Sequence, residues 1–301
     1  MSVEVVQKNV GYLLEGPHWD PASGTLLYVD ILGQIVYRYN PETGKTMEVK
    51  IGQQVGAVVP TRSGRTLVAA AHAIGFLDWE TGKIDTLVEV EKDRAETRFN
   101  DAKCDAAGRF WVGTMGFKSL PPGLNESVLP GLASLYCLHP DKTLTTNLQD
   151  VGLSNGMAWT ADNKTMYYID SLARGVDAFD YDIVNGTIAN RRRIITIPES
   201  EGIPDGMCID SEGMLWVAHF FGAAVKRYNP ITGEKIRMVQ LPTDVITSCC
   251  WGGANLDELY VTSSKLSLSD EQLKVQDTAG SLFRVTGLGV RGVKAEVFND
   301  L

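Results

Sequence analysis

Along this chain apolar and polar residues alternate in short runs with a period of two, and no window sustains the i, i+3, i+4 spacing of an amphipathic helix, so the pattern predicts strands throughout. Turn signals of the N-P-x-T-G, N-G and D-x-x-G kinds separate the runs and mark hairpins. The pattern also repeats. FNDAKCDAAGRFWVGT from Phe99, SNGMAWTADNKTMYYID from Ser154 and PDGMCIDSEGMLWVAHF from Pro204 align without gaps in their logic: a polar residue, an alternating apolar run, a turn, and a second run. LEGPHWDPASGTLLYVD from Leu14 follows the same scheme, with weaker copies at VGAVVPTRSGRTLVAAA from Val55 and ITSCCWGGANLDELYVTS from Ile246. The leading positions are Glu15, Gly56, Asn100, Asn155, Asp205 and Thr247, spaced by 41, 44, 55, 50 and 42 residues. Downstream of the second run most units carry a further strand and tight turn, as in QIVYRYNPETGK and AVKRYNPITGEK. Six units of four short strands predict an all-β, six-bladed β-propeller. The length alone would have suggested two domains; the repeats replace that expectation with one propeller domain over residues 1–301. The N-terminal run VEVVQ is expected to close the ring by joining the last blade, which removes an open edge. A sandwich would repeat its strands, but it has no reason to repeat a polar position in step with them.

In a propeller the first strand of every blade runs beside the central channel, so the leading positions form a ring around the axis. Two carboxylates and two carboxamides converging there need a counter-ion. A hard cation with oxygen ligands meets that need, with Ca²⁺ first and Mg²⁺, Mn²⁺ or Zn²⁺ as alternatives. The fold expectation is therefore a propeller with a central metal site. Glycines following ring residues, Gly16, Gly156 and Gly206, are expected to let the backbone turn beside the ion. The four histidines, His18, His72, His139 and His219, show no H-x-x-H spacing, although His18 and His219 are placed to border the channel. Two motif matches fail on context. Gly152-Leu153-Ser154-Asn155-Gly156 reads as a nucleophile elbow but runs into strand rather than helix, and Gly287 to Gly292 matches a dinucleotide fingerprint with too little chain after it.

Charge narrows the partners. Lys and Arg number 28 against 37 Asp and Glu, a net charge of −9 with a pI near 5.0, the wrong sign for nucleic acid or an anionic membrane. No apolar run approaches the length of a membrane helix, and the N-terminus lacks the pattern of a signal peptide. Five cysteines without a C-x-x-C pair suggest reduced thiols. A soluble, cytoplasmic monomer acting on a small molecule is the expectation. Residues 116–133, rich in Pro and Gly, read as a loop too long for a simple turn, either a functional lid or a disordered segment.

Read together, EGPHWD, RFNDAKCD with GRFWVGTM, SNGMAW, VDAFDYD, IPDGMCID, TSCCWGG and FRVTGLGVRG resemble the regucalcin (senescence marker protein) and gluconolactonase family, which includes luciferin-regenerating proteins; the resemblance spans nearly the whole chain. It implies a calcium-binding, divalent-metal-dependent hydrolase that opens sugar lactones. Glu15, Asn155 and Asp205 would hold the metal, Arg98 and Asn100 would contact substrate, and Asp205 would also move the catalytic proton. One departure follows Met115, where Gly116, Phe117 and Lys118 replace an acidic stretch that contributes to substrate binding in the family. Two other readings stay open: a non-catalytic calcium-binding or regulatory protein, and a relative acting on other esters such as organophosphates.

Overall fold

The computed structural model describes residues 1–120 and 125–301. Among these residues the strands form six antiparallel sheets arranged as a six-bladed propeller. The first strands of the blades are Leu14–Asp20, Val55–Pro60, Thr97–Cys104, Ser154–Trp159, Ile203–Ile209 and Ile246–Gly252. Each touches its neighbour, and the sixth touches the first, so they line one channel. Three further strands step outward in every blade, from fully buried next to the channel to largely exposed at the rim, as along Lys45–Lys50 and Lys235–Gln240. In the sixth blade the outermost strand is Ser2–Gln7, paired antiparallel with Leu282–Thr286. Closure by VEVVQ is thus as expected, and it ties the N-terminal strand to Leu282–Thr286 in one sheet.

There is no single central core. Six apolar clusters lie between successive blades, one at each seam, such as Trp111, Leu135 and Cys137 of blade three against Met157, Tyr168 and Phe179 of blade four. Both faces of each sheet are therefore buried near the axis, which is why the inner strands read as nearly continuous apolar runs. The five cysteines are all buried thiols.

Residues 116–133 differ from the expected loop. Asn125–Leu129 pairs antiparallel with the end of Phe110–Leu120, in the register Gly116 to Leu129 through Leu120 to Asn125, so the insertion is a hairpin that extends blade three. Its tip, residues 121–124, lies outside the described residues. Among the described residues one α-helix occurs, Asp270–Val275, and no helix is long and apolar enough to cross a membrane.

A buried aspartate fixes the first hairpin of blades three and five. Asp210 accepts from the backbone N–H groups of Glu212 and Met214 (2.9 and 3.0 Å) and from the Trp216 indole (2.9 Å), and pairs with Arg227. Asp105 repeats this with Ala107, Arg109 and Trp111, and also takes the Tyr181 hydroxyl at 2.5 Å. The D-x-x-G-x-x-W spacing places the indole one strand over from the turn, within reach of the same carboxylate. Asp210→Ala would leave two amides, an indole and a guanidinium short of a buried acceptor, at a cost of about 3 kcal/mol; a urea unfolding curve with the midpoint unchanged would contradict this account.

Candidate metal and substrate site

All six inner strands break register where the repeat begins. The shifts fall between Glu15 and His18, Val55 and Ala57, Phe99 and Ala102, Ser154 and Met157, Pro204 and Met207, and Ile246 and Ser248. Every leading position thus sits in a β-bulge or, for Glu15, at its edge, a feature that re-aims side chains and ends regular pairing. Of the following glycines only Gly16 has a positive φ, 55°. Gly156 and Gly206 have another reason: a Cβ at either would collide with the next blade's inner strand, at Met207 and Ser248 respectively. Close packing at the axis, rather than a turn, demands them.

The bulges bring most of the expected residues together. Asn100 donates from Nδ2 to Asn155 Oδ1 (3.2 Å) and to the Ser154 carbonyl (2.9 Å), while Asn155 Nδ2 donates to Ser171 Oγ at 2.8 Å, which in turn donates to the Pro204 carbonyl. These bonds orient the Asn155 amide with its oxygen on the Asn100 side. Glu15, Asn155 and Asp205 are all buried. Thr247 is the exception: its hydroxyl donates to the Leu14 carbonyl at 2.6 Å and serves the seam between blades six and one. Ser154 is buried with the Tyr168 hydroxyl on its Oγ, so no nucleophile elbow exists.

A third carboxylate joins the ring. Asp101 is buried beside Asn100, and its charge raises the pKa of both Glu15 and Asp205. All three carboxyls are pushed upward, first by burial and, for Glu15 and Asp205, also by their acidic neighbours. Among the described residues their hydrogen bonds run to the backbone N–H groups of Gly16, Ala102 and Gly206. Among the described residues no three carboxylate, imidazole or thiolate side chains converge on one point. A cation here would take Glu15 and Asp205, with amide oxygen and water completing its shell. That donor set fits a hard oxygen-seeking ion.

Arg98 is not a surface charge. Its side chain is 3% exposed and donates to Asn100 Oδ1 and the Phe99 carbonyl, both at 3.0 Å, and to Glu126 at 2.9 Å. Glu126, 4% exposed, also accepts from Gln54 Nε2 at 2.6 Å. An acidic group thus reaches Arg98 from the opposite strand of the hairpin. Phe117, part of the departure from the family pattern, lies 5.8 Å from the Arg98 guanidinium. Sequence reasoning missed Asp101 and Glu126. An N-D pair where other blades have N-G, D-G or E-G was the available signal for the first; the second needed the hairpin register.

His219 is a core histidine. Nδ1 meets the Glu201 carbonyl at 2.8 Å and Nε2 the Tyr228 hydroxyl at 3.1 Å. Burial lowers its pKa to about 4, and Lys226 and Lys235 act in the same direction against Glu201.

The profile of the SMP-30/Gluconolactonase/LRE-like region matches residues 13–265. Regucalcin of Xenopus laevis is 41% identical over 298 residues, covering 99% of this chain and 98% of its own. A solved luciferin-regenerating enzyme superposes with a TM-score of 0.90 at 36% identity, over 99% of both chains. A calcium-binding regucalcin from Agrobacterium tumefaciens gives the same TM-score at 25% identity, over 99% and 97% of the two chains.

Two outcomes follow from these electrostatics. In chelator, Asp205→Asn should melt at a higher temperature than the parent, because one of three repelling buried carboxylates is gone, and it should gain less from added Ca²⁺; a lower melting temperature in chelator would refute the repulsion. A histidine held neutral stabilises fully above its ordinary pKa near 6.5, and that contribution is lost as pH falls toward 4. The stability difference between the parent and His219→Gln should therefore shrink by roughly 2–3 kcal/mol from pH 7.5 to 4.5, as read from denaturant curves at each pH.

Proposed function

The chain belongs to the SMP-30/gluconolactonase/LRE-like family, and from that premise we propose that it is a divalent-metal-dependent lactonase acting on sugar lactones. One observation carries the reading: the cation ring is continuous with a buried Arg98, Asn100 and Glu126 group that a site merely storing calcium would not require.

Hydrolysis adds water across the ring ester, with the hydroxyl going to the carbonyl carbon and a proton to the departing ring oxygen. Glu15, Asn155 and Asp205 would hold the ion. When bound, a hard cation supplies Lewis acidity toward an ester carbonyl. The free oxygen of Asp205 accepts the proton of the attacking water and returns it to the ring oxygen. Arg98 is braced on three sides by Phe99, Asn100 and Glu126, so its remaining N–H groups are fixed before substrate arrives and can orient sugar hydroxyls at little entropic cost. Glu126 and Asn100 add acceptors for the same hydroxyls. The bulge geometry excludes bulk water from the inner side of the ring, because the next blade's strand packs directly against Gly156 and Gly206.

Acid release from glucono-lactone tests the proposal. Chelator should abolish it reversibly, Asp205→Ala should lower kcat by at least about 100-fold, and Arg98→Met should lower kcat/KM by 10- to 100-fold or so while calcium still stabilises the fold. Full turnover in Asp205→Ala would overturn the assignment. Calcium-dependent stabilisation without hydrolysis of any lactone would instead favour a purely calcium-binding protein.

A further inference from the structure

Three residues beyond five of the six ring positions, at His18, Lys103, Ala158, Cys208 and Cys250, the same inner strands line a second space. A rise of roughly 3.3 Å per residue places it about 10 Å further along the channel. It is a cavity of about 440 Å³, within the range of small-molecule pockets. The C-terminal segment forms its outer wall. Residues 291–300 cross that face of the propeller as a strap: the Arg291 carbonyl accepts from Ser211 of blade five, Gly292 donates to Leu256 of blade six, Asn299 to Gly108 of blade three, and Phe298 pairs with Pro60 and Arg62 of blade two. Asp300 then anchors the strap to Thr61, Ser63 and Arg65.

The walls are mostly apolar, with Trp159 and Trp251 lining the space together with Ala158, Ala161 and Ala295. The polar groups are donors in excess. Both indole N–H groups are buried without a hydrogen-bond partner among the described residues, as is Nε2 of His18, a side chain only 5% exposed that donates there in its Nε2–H tautomer. Lys103 donates to the Met207 carbonyl at 2.6 Å and keeps two further N–H bonds. Of the two acidic residues lining the cavity, Asp210 is neutralised by Arg227, and Glu296 lies on the strap with Lys294. Buried donors without acceptors beside an ammonium ask for an acceptor-bearing anion, and the apolar walls ask that the rest of it be hydrocarbon.

We propose that the cavity beneath the C-terminal strap is a binding site for a small apolar carboxylate, whose anionic end meets Lys103 and His18 and whose hydrocarbon body packs against Trp159 and Trp251. The site is separate from the metal ring and independent of the lactonase reading.

The full-length protein titrated calorimetrically with 2-naphthoate tests this. One saturable site is expected, with the neutral 2-naphthylmethanol bound about tenfold more weakly. Lys103→Met should lose about tenfold in naphthoate affinity and Lys103→Arg should restore it; Glu296→Gln should tighten binding. Ala295→Trp, which fills the cavity from the strap, should abolish binding while lactone hydrolysis and the melting temperature are retained. Asp205→Asn in chelator should bind naphthoate like the parent. Absence of binding at millimolar naphthoate, equal binding by the parent and Ala295→Trp, or loss of binding in Asp205→Asn would each overturn the proposal.

Discussion

Six strands must pass one axis at close range, and that constraint shapes everything else in the molecule. Near the axis the inner strands approach until a Cβ no longer fits, as at Gly156 against Met207 and Gly206 against Ser248. A regular strand cannot meet such neighbours over its full length, so each one bulges at the same height. A bulge leaves one residue out of the alternation and turns it toward the channel. The sheets outside that radius diverge, and the wedge-shaped gaps between them fill with the six apolar seams. The polar groups of the ring thereby sit at the one place the wedges cannot reach.

This explains why so much was legible from the chain. The bulge residue stands at a fixed place in every repeat, followed by glycine where the next blade is nearest, so ring and blade boundaries share one signal. The turn aspartates announce themselves by the D-x-x-G-x-x-W spacing, and VEVVQ, as a strand with no hairpin partner nearby, had only the last blade to join. What stayed hidden was whatever the bulge or a longer register decides. Strand alternation sends consecutive residues to opposite faces, so Asp101 should point away from a channel that Asn100 enters; only the broken register lets both act on Glu15 and Asp205. Glu126 is invisible for a different reason. It lies 28 residues from Arg98, and nothing short of the pairing of Lys118 with Ser127 and its neighbours brings the two together. Thr247 shows the converse error, a residue in the right position whose hydroxyl is consumed by the Leu14 carbonyl.

The two ends of the channel differ in chemical character because the strands carry different residues three positions apart. Acids and amides at one level give way to His18, Lys103, Ala158, Cys208 and Cys250 at the next. Lys103 belongs to both levels. It rises from blade three, passes blade four, and donates to the Met207 carbonyl of blade five, so its side chain spans the channel. Its charge lowers the pKa of Asp101 on one side and of His18 on the other.

That position constrains the ion the ring can favour. Glu15, Asp101 and Asp205 place three negative charges near the axis when ionised, while Arg98 is already balanced by Glu126. Lys103 offsets one of the three, which leaves two for a bound ion to cancel. A monovalent cation would leave a buried carboxylate uncompensated, and a trivalent one would leave excess positive charge in the same confined space; each imbalance carries a large desolvation penalty. On the proposed reading, the charge balance of the floor favours a divalent ion before ligand geometry is considered.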